Sequence, residues 1–209
     1  MPIVNALLDA KKRGVKIRAV ADYSSNMDNI YPYSSKFINE FSAKTDSNKT
    51  LMHNKFIVFD DNKVLTGSAN ISAAGTGGYN ANVVVLINSS ELANVYNAEF
   101  NQMYGGKFSN KKEKSPNKKI AVGDFEITPY FSPQDAPYEN AILPLVKKAK
   151  SKIYVSIFYL TDRNLINELI NAKKRNVEVM ILLDAVGAQN IKDRILPQSK
   201  QEWNEEDEE

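Results

Sequence analysis

The sequence predicts an α/β fold, and three observations carry that expectation. Amphipathic helical stretches alternate with short apolar runs, the pattern of helices packed on sheets. Lys55–Phe59 (KFIVF) and Asn82–Ile87 (NVVVLI) are almost unbroken apolar runs, as expected of strands buried on both faces. A helix–turn–strand unit is also written twice. Residues 10–15 read Ala-Lys-Lys-Arg-Gly-Val, and residues 172–177 read Ala-Lys-Lys-Arg-Asn-Val, displaced by 162 positions. The same displacement aligns Ile3 with Leu165, Leu7 with Leu169 and Asp22 with Asp184, so each copy reads as helix, tight turn, strand and terminal aspartate.

The elements follow in order. Residues 2–13 form an amphipathic helix with Ile3, Ala6, Leu7 and Ala10 on one face, and Gly14 stands where a helix C-cap belongs. Val15–Ala21 reads as a strand. Residues 23–48 are polar and loop-like, with a short helix near Ser34–Phe41. Asp60-Asp61-Asn62 marks a tight turn between the strands Lys55–Phe59 and Lys63–Thr66. After the strand at 82–87, Ser90–Tyr104 forms a helix with Leu92, Val95, Ala98, Phe100 and Met103 at apolar positions. Residues 105–119, rich in Gly, Ser, Pro, Asn and Lys, read as an exposed linker. Beyond it come a strand (Phe125–Tyr130), a helix (Tyr138–Lys150), a strand (Ile153–Leu160), a helix (Asp162–Arg175) and a strand (Val177–Leu183). The expected division is 1–104, a linker at 105–119, a second unit at 120–196 and an acidic, disordered tail at 197–209 that includes Trp203.

Composition narrows the function classes. The 209 residues are 43% apolar and 25% charged, ordinary for a globular protein, with a formal charge of only +2. No cysteine is present, which excludes disulfide scaffolds, thiolate metal sites and cysteine nucleophiles. A single histidine excludes multi-histidine metal sites within one chain. No apolar run approaches bilayer length, and the first residues lack the basic segment of a secretory signal. If Met1 is the true start, these features suit the cytoplasm.

One constellation carries chemistry. His53-Asn54-Lys55 is followed by four residues, Asp60, six residues and Gly67-Ser68-Ala69-Asn70, straddling the hairpin. His53 and Lys55 lie two apart at a strand entrance, so their side chains share a face. Lys55 supplies a point charge, Asn70 amide donors, and Gly67-Ser68 a close approach of backbone and hydroxyl. Such a set can hold a phosphoryl group while His53 attacks it, splitting one displacement into two. Lysine, amide and backbone neutralise the phosphate, so neither metal nor other cofactor is called for. Asp60 has two readings: a catalytic member, or a turn residue bonded to the hairpin backbone.

The string Met52–Ser72 (MHNKFIVFDDNKVLTGSANIS) resembles the signature of the phospholipase D superfamily. The resemblance implies an α/β/α sandwich with a mixed β-sheet flanked by helices. It implies that two such domains or subunits meet with their signatures face to face. His53 would be the nucleophile or its general-acid counterpart, with Lys55 and Asn70 binding phosphate and Ser68 supporting them. Many members carry an acidic residue a dozen or so positions beyond the signature asparagine, which orients the histidine; here Asn82 takes that place. An amide can orient an imidazole but cannot stabilise an imidazolium as a carboxylate does.

The family site needs two histidines. The repeat would place the second at position 215, beyond Glu209. Three arrangements remain open: part of a longer two-domain enzyme, a dimer sharing His53 from each chain, or a permuted order completing one domain. The activity implied is metal-independent phosphodiester hydrolysis through a phosphohistidine, on phospholipid first. The alternatives are an endonuclease of the same superfamily and an inactive phosphate-binding half-site. The run Lys107–Lys119 reads as a solvated linker or as a contact for an anionic membrane or nucleic acid.

Overall fold

A computed structural model describes residues 2–24, 34–46 and 51–189. They form a mixed α/β protein in two compact units, Met1–Ala136 and Pro137–Glu209.

The first unit opens with helix α1 (Pro2–Lys12), followed by strand β1 (Val20–Ala21), helix α2 (Ser34–Phe41) and strand β2 (Lys44–Thr45). Gly14 closes α1 as expected, at φ +89°, with the Val15 N–H on the Ala10 carbonyl and the Gly14 N–H on that of Lys11. The buried residue of α1 is Val4, while Ala6, expected on the core face, is exposed. The strand expected over Val15–Ala21 is reduced to two residues. Only there does β2 run alongside, parallel, pairing Val20 with Lys44 and Ala21 with Thr45; apolar side chains without a ladder partner do not make a strand.

Strands β3 (Phe56–Phe59), β4 (Lys63–Gly67) and β5 (Val84–Asn88) form an antiparallel sheet with β4 central. Helix α3 (Ala73–Thr76) lies between β4 and β5, and helix α4 (Ser90–Tyr104) follows β5. Ser89 caps α4 by accepting the Leu92 N–H. Leu92 and Ala93 are fully buried against Val64 and Ile120, with Val58, Ile87, Val95 and Tyr96 packed around them. The two apolar runs are less buried than their composition predicts. β3 is half-buried, and Val84, Val85 and Leu86 of β5 are exposed. β5 is an edge strand of this sheet, and only Ile87 packs on the core.

The lysine-rich segment is exposed over most of its length but is anchored at a few residues. Phe108 and Lys112 are buried, and a short 3-10 turn covers Ser109–Lys111. The buried Asp135 carboxylate accepts the Ser115 N–H, the Ser115 hydroxyl and the Phe131 N–H, tying the segment to the 131–135 loop. A hairpin of β6 (Ile120–Val122) and β7 (Phe125–Ile127) then adds Ile120 to the core. The first unit therefore runs on to Ala136, past the boundary expected at 104. A composition of Lys, Asn and Ser hides the few residues that anchor it.

In the second unit, a π-helical turn (Tyr138–Ile142) leads into helix α5 (Leu143–Lys148). Strand β8 (Lys152–Ile157), helix α6 (Arg163–Lys174) and strand β9 (Glu178–Leu183) follow. β8 and β9 pair in parallel from Lys152↔Glu178 to Ile157↔Leu183. Val146, Leu160 and Leu169 form the core, with Ile153, Val155, Leu165 and Val179 against it. The 197–209 tail and Trp203 fall outside the described residues. Among those described, no helix is long and apolar enough to cross a membrane.

Candidate active site

Topology gathers the signature residues. His53 and Lys55 precede β3, Ser68 and Asn70 follow β4, and Asn82 precedes β5. Because the strands alternate in direction, all five lie at one end of the sheet. Asp60 lies at the other. It starts the turn that joins β3 to β4, with φ +48° followed by +54° at Asp61 and the Asn62 N–H on the Phe59 carbonyl. This is the mirror-image turn that suits a tight hairpin, and aspartate tolerates its left-handed backbone. The four strand residues between amount to about 13 Å of extended chain. Asp60 is thus a turn residue, and the catalytic alternative is not supported by its position.

The glycine of the signature has a steric reason. At Gly67, φ +151°, a Cβ would stand 2.0 Å from the Val83 carbonyl oxygen. That approach lets the Ser68 N–H donate to Val83 at 2.9 Å, while the Ser68 hydroxyl accepts the Val83 N–H at 3.0 Å. The same hydroxyl donates to Asn82 Oδ1 at 2.9 Å, and Asn82 Nδ2 donates to the Gly75 carbonyl at 3.1 Å. Gly75 in turn lies against the Asn70 backbone, so closely that a Cβ would fall 2.2 Å from the Asn70 carbonyl oxygen. Asn82 therefore braces the Ser68–Asn70 loop. Its side-chain hydrogen bonds run to Ser68, Gly75 and Asn80.

His53 is exposed and Lys55 half-buried, with Lys55 Nζ donating to the His53 carbonyl at 2.9 Å. Partial burial and the Lys55 charge hold the imidazole below its usual pKa, while the Asp22 carboxylate pulls the other way. Burial also lowers the Lys55 ammonium. A neutral imidazole beside a lysine is the state in which a histidine can attack an electrophile.

The residues that hold His53 in place include several the signature does not name. The buried Asp22 ends the first copy of the repeat, and its Oδ2 accepts the Met52 N–H at 2.8 Å, fixing the backbone just before His53. Asn54, between His53 and Lys55, points inward, and its Nδ2 donates to Glu99 Oε1 at 3.3 Å. Glu99 is buried. It takes the Lys112 ammonium at 2.5 Å and the Gln134 amide at 2.9 Å. Spacing already singled out Asp22 through the repeat; nothing local marked Glu99 or Lys112, which meet across 13 residues.

The sequence matches known proteins. The profile of a family described as "Cardiolipin synthase, PLD-like domain" matches residues 1–104 and 142–206. The chain belongs to the phospholipase D-like family. A phospholipase D of Rickettsia conorii (strain ATCC VR-613 / Malish 7) is 35% identical over 94 residues, which cover 45% of this chain and 46% of the relative. That of Rickettsia typhi (strain ATCC VR-144 / Wilmington) is 37% identical over 98 residues, with 45% and 46% covered. The matched region thus spans about half the length of these relatives. Among solved structures, Nuc, a phospholipase D family member from Salmonella typhimurium, aligns with TM-score 0.45 and 31% identity. It covers 50% of this chain and 70% of that one.

Lys112 is buried on Glu99, and Lys107, Lys118 and Lys119 pair with Glu113, Glu91 and Glu126.

Proposed function

We propose that this phospholipase D-like chain supplies one half of a phosphodiesterase site, with His53 as nucleophile. The phosphate lies against Lys55, Ser68 and Asn70. His53 forms a P–N bond as the P–O bond to the alcohol breaks, and a second histidine protonates the departing oxygen. Water then attacks phosphorus, giving its proton to the second histidine, the P–N bond breaks, and His53 returns neutral. The second histidine comes from another copy of the chain or from further chain of the same protein. Phospholipid is the first substrate class, and a nucleic-acid backbone is the alternative the same chemistry accepts.

The observation that carries this reading is the convergence of His53, Lys55, Ser68 and Asn70 at one sheet end. Hydrolysis of an aryl phosphodiester in EDTA, followed against protein concentration, tests it. Specific activity should rise with concentration and fall by roughly 10³-fold or more in His53→Ala. Wild-type activity equal to that of the variant at every concentration would leave a phosphate-binding half-site without turnover.

A further inference from the structure

The strand pair of the second unit has one bare face. In the β8–β9 register Tyr154 stands beside Met180 and Ser156 beside Leu182, so these four side chains share a face. The opposite face, with Ile153, Val155, Val179 and Leu183, packs on Val146 of α5 and Leu169 of α6. On the bare face Tyr154, Met180 and Leu182 are 59%, 56% and 70% exposed. The Tyr154 hydroxyl already donates to Glu178 at 3.0 Å, so its ring is what remains to be covered. Parallel strands are almost always covered on both faces, and a contiguous exposed apolar patch marks an interaction site.

The first copy of the repeat shows what covers such a face. The displacement of 162 sets Met180 on Arg18 and Leu182 on Val20. In that copy helix α4 lies against β1. The Arg18 guanidinium stands 5.0 Å from the Phe100 ring centroid and 5.4 Å from that of Tyr104, and it donates to Asn101 at 2.9 Å. Phe100 and Tyr104 are one helical turn apart, and their rings stack with centroids 5.5 Å apart. Val20 is half-buried.

The second copy puts a thioether where the first has a guanidinium, and leucine where it has valine. Methionine keeps a favourable contact with aromatic rings and needs no polar partner such as Asn101. The face therefore keeps what receives aromatic residues from a helix, and it is more apolar than its counterpart. Lys152 and Glu178 oppose each other at its start, so their charges balance and select no anionic membrane.

We propose that this face of β8 and β9 binds an amphipathic helix from another protein, one presenting two aromatic residues a turn apart as α4 presents Phe100 and Tyr104. The inference uses no residue of the phosphodiester site and stands or falls apart from it.

The test uses the full chain with its methionine methyl groups labelled for NMR. The chain has five methionines, and loss of one signal in Met180→Leu identifies the reporter on this face. The probe is a synthetic peptide of the α4 sequence, Ser90–Tyr104. It should shift the Met180 methyl and saturate below about 1 mM. Replacing Phe100 and Tyr104 of the peptide by Ala should weaken binding by at least about tenfold, because buried aromatic anchors dominate such contacts. Leu182→Asp in the chain should weaken it as much. Leu182 lies outside the core of Val146, Leu160 and Leu169, so that variant keeps its packing.

A Met180 signal left unmoved by the peptide overturns the proposal, and this arm reads the wild-type chain. Equal binding of the alanine peptide, or undiminished binding by Leu182→Asp, overturns it as well. A Met180 shift that grows with the concentration of the chain alone would give the face to a second copy and also overturns it. So does a shift produced by phosphatidylcholine vesicles and not by the peptide, which would give the face to lipid.

Discussion

The two copies of the helix–turn–strand unit, 162 residues apart, give the same turn and different consequences. In the first, Val15 N–H bonds to Ala10 at 3.1 Å and Gly14 N–H to Lys11 at 3.0 Å; in the second, Val177 bonds to Ala172 at 3.1 Å and Asn176 to Lys173 at 3.0 Å. Gly14 and Asn176 both adopt positive φ, +89° and +63°. Beyond the turn the copies part. β9 pairs over six residues with β8, whereas β1 pairs over two with β2. Asp22 reaches across the fold to the Met52 N–H, while Asp184 accepts the Val186 and Gly187 N–H groups of its own next turn. A local pattern repeats a local structure. What the terminal aspartate does depends on which segment lies at the strand's end.

The comparison can be broken most forcefully at the buried ion pair that supports the first unit alone. Glu99→Ala leaves the Lys112 ammonium buried and unpaired and should cost the first unit about 3–5 kcal/mol. Asp162→Ala, which removes the cap that accepts the Leu165 N–H of α6, should cost the second about 1 kcal/mol. Chemical denaturation of each variant reads both values, and equal losses would deny the first unit its special dependence on Glu99.

The aspartates themselves come next. Asp22→Asn keeps an acceptor for the Met52 N–H but removes the charge that pulls the His53 pKa up, so His53 should titrate lower than in the wild-type protein. Asp184→Asn should leave that titration unmoved. An unchanged His53 titration in Asp22→Asn would make Asp22 a structural anchor only. Wild-type His53 should itself titrate below a free imidazole, because burial and Lys55 outweigh Asp22.

A smaller effect separates the turn residues from the site. Asp60→Gly relieves a left-handed backbone and should leave phosphodiester hydrolysis at the wild-type rate, judged by the same aryl assay. A large loss of rate would return Asp60 to the chemistry. Smallest of all, Gly14→Asn and Asn176→Gly exchange two residues that tolerate positive φ and should each alter stability by less than about 1 kcal/mol. A greater loss at one site than the other, read by thermal melting, would show that the copies are not interchangeable even locally.

Much of the site was legible. The spacing of His53, Lys55, Ser68 and Asn70 across a hairpin places them together, because antiparallel strands return to the same end. The bracing role of Asn82 was not legible, because position relative to Asn70 says nothing of the Gly75 carbonyl and Ser68 hydroxyl it meets. The lysine run misled for a similar reason. Its composition is that of a linker, yet Phe108 is buried and Lys112 and Ser115 are held by partners from other segments.

By itself the sequence determined what near neighbours decide: the alternating elements, the tight turns at Gly14 and Asn176 and the Asp60 hairpin. These depend on backbone sterics and hydrogen bonds spanning a few residues. Only the tertiary structure decided that Asp22 holds the backbone before His53 and that Glu99 and Lys112 are a buried pair. Charge and burial are set by what packs around a group, and those neighbours come from distant parts of the chain.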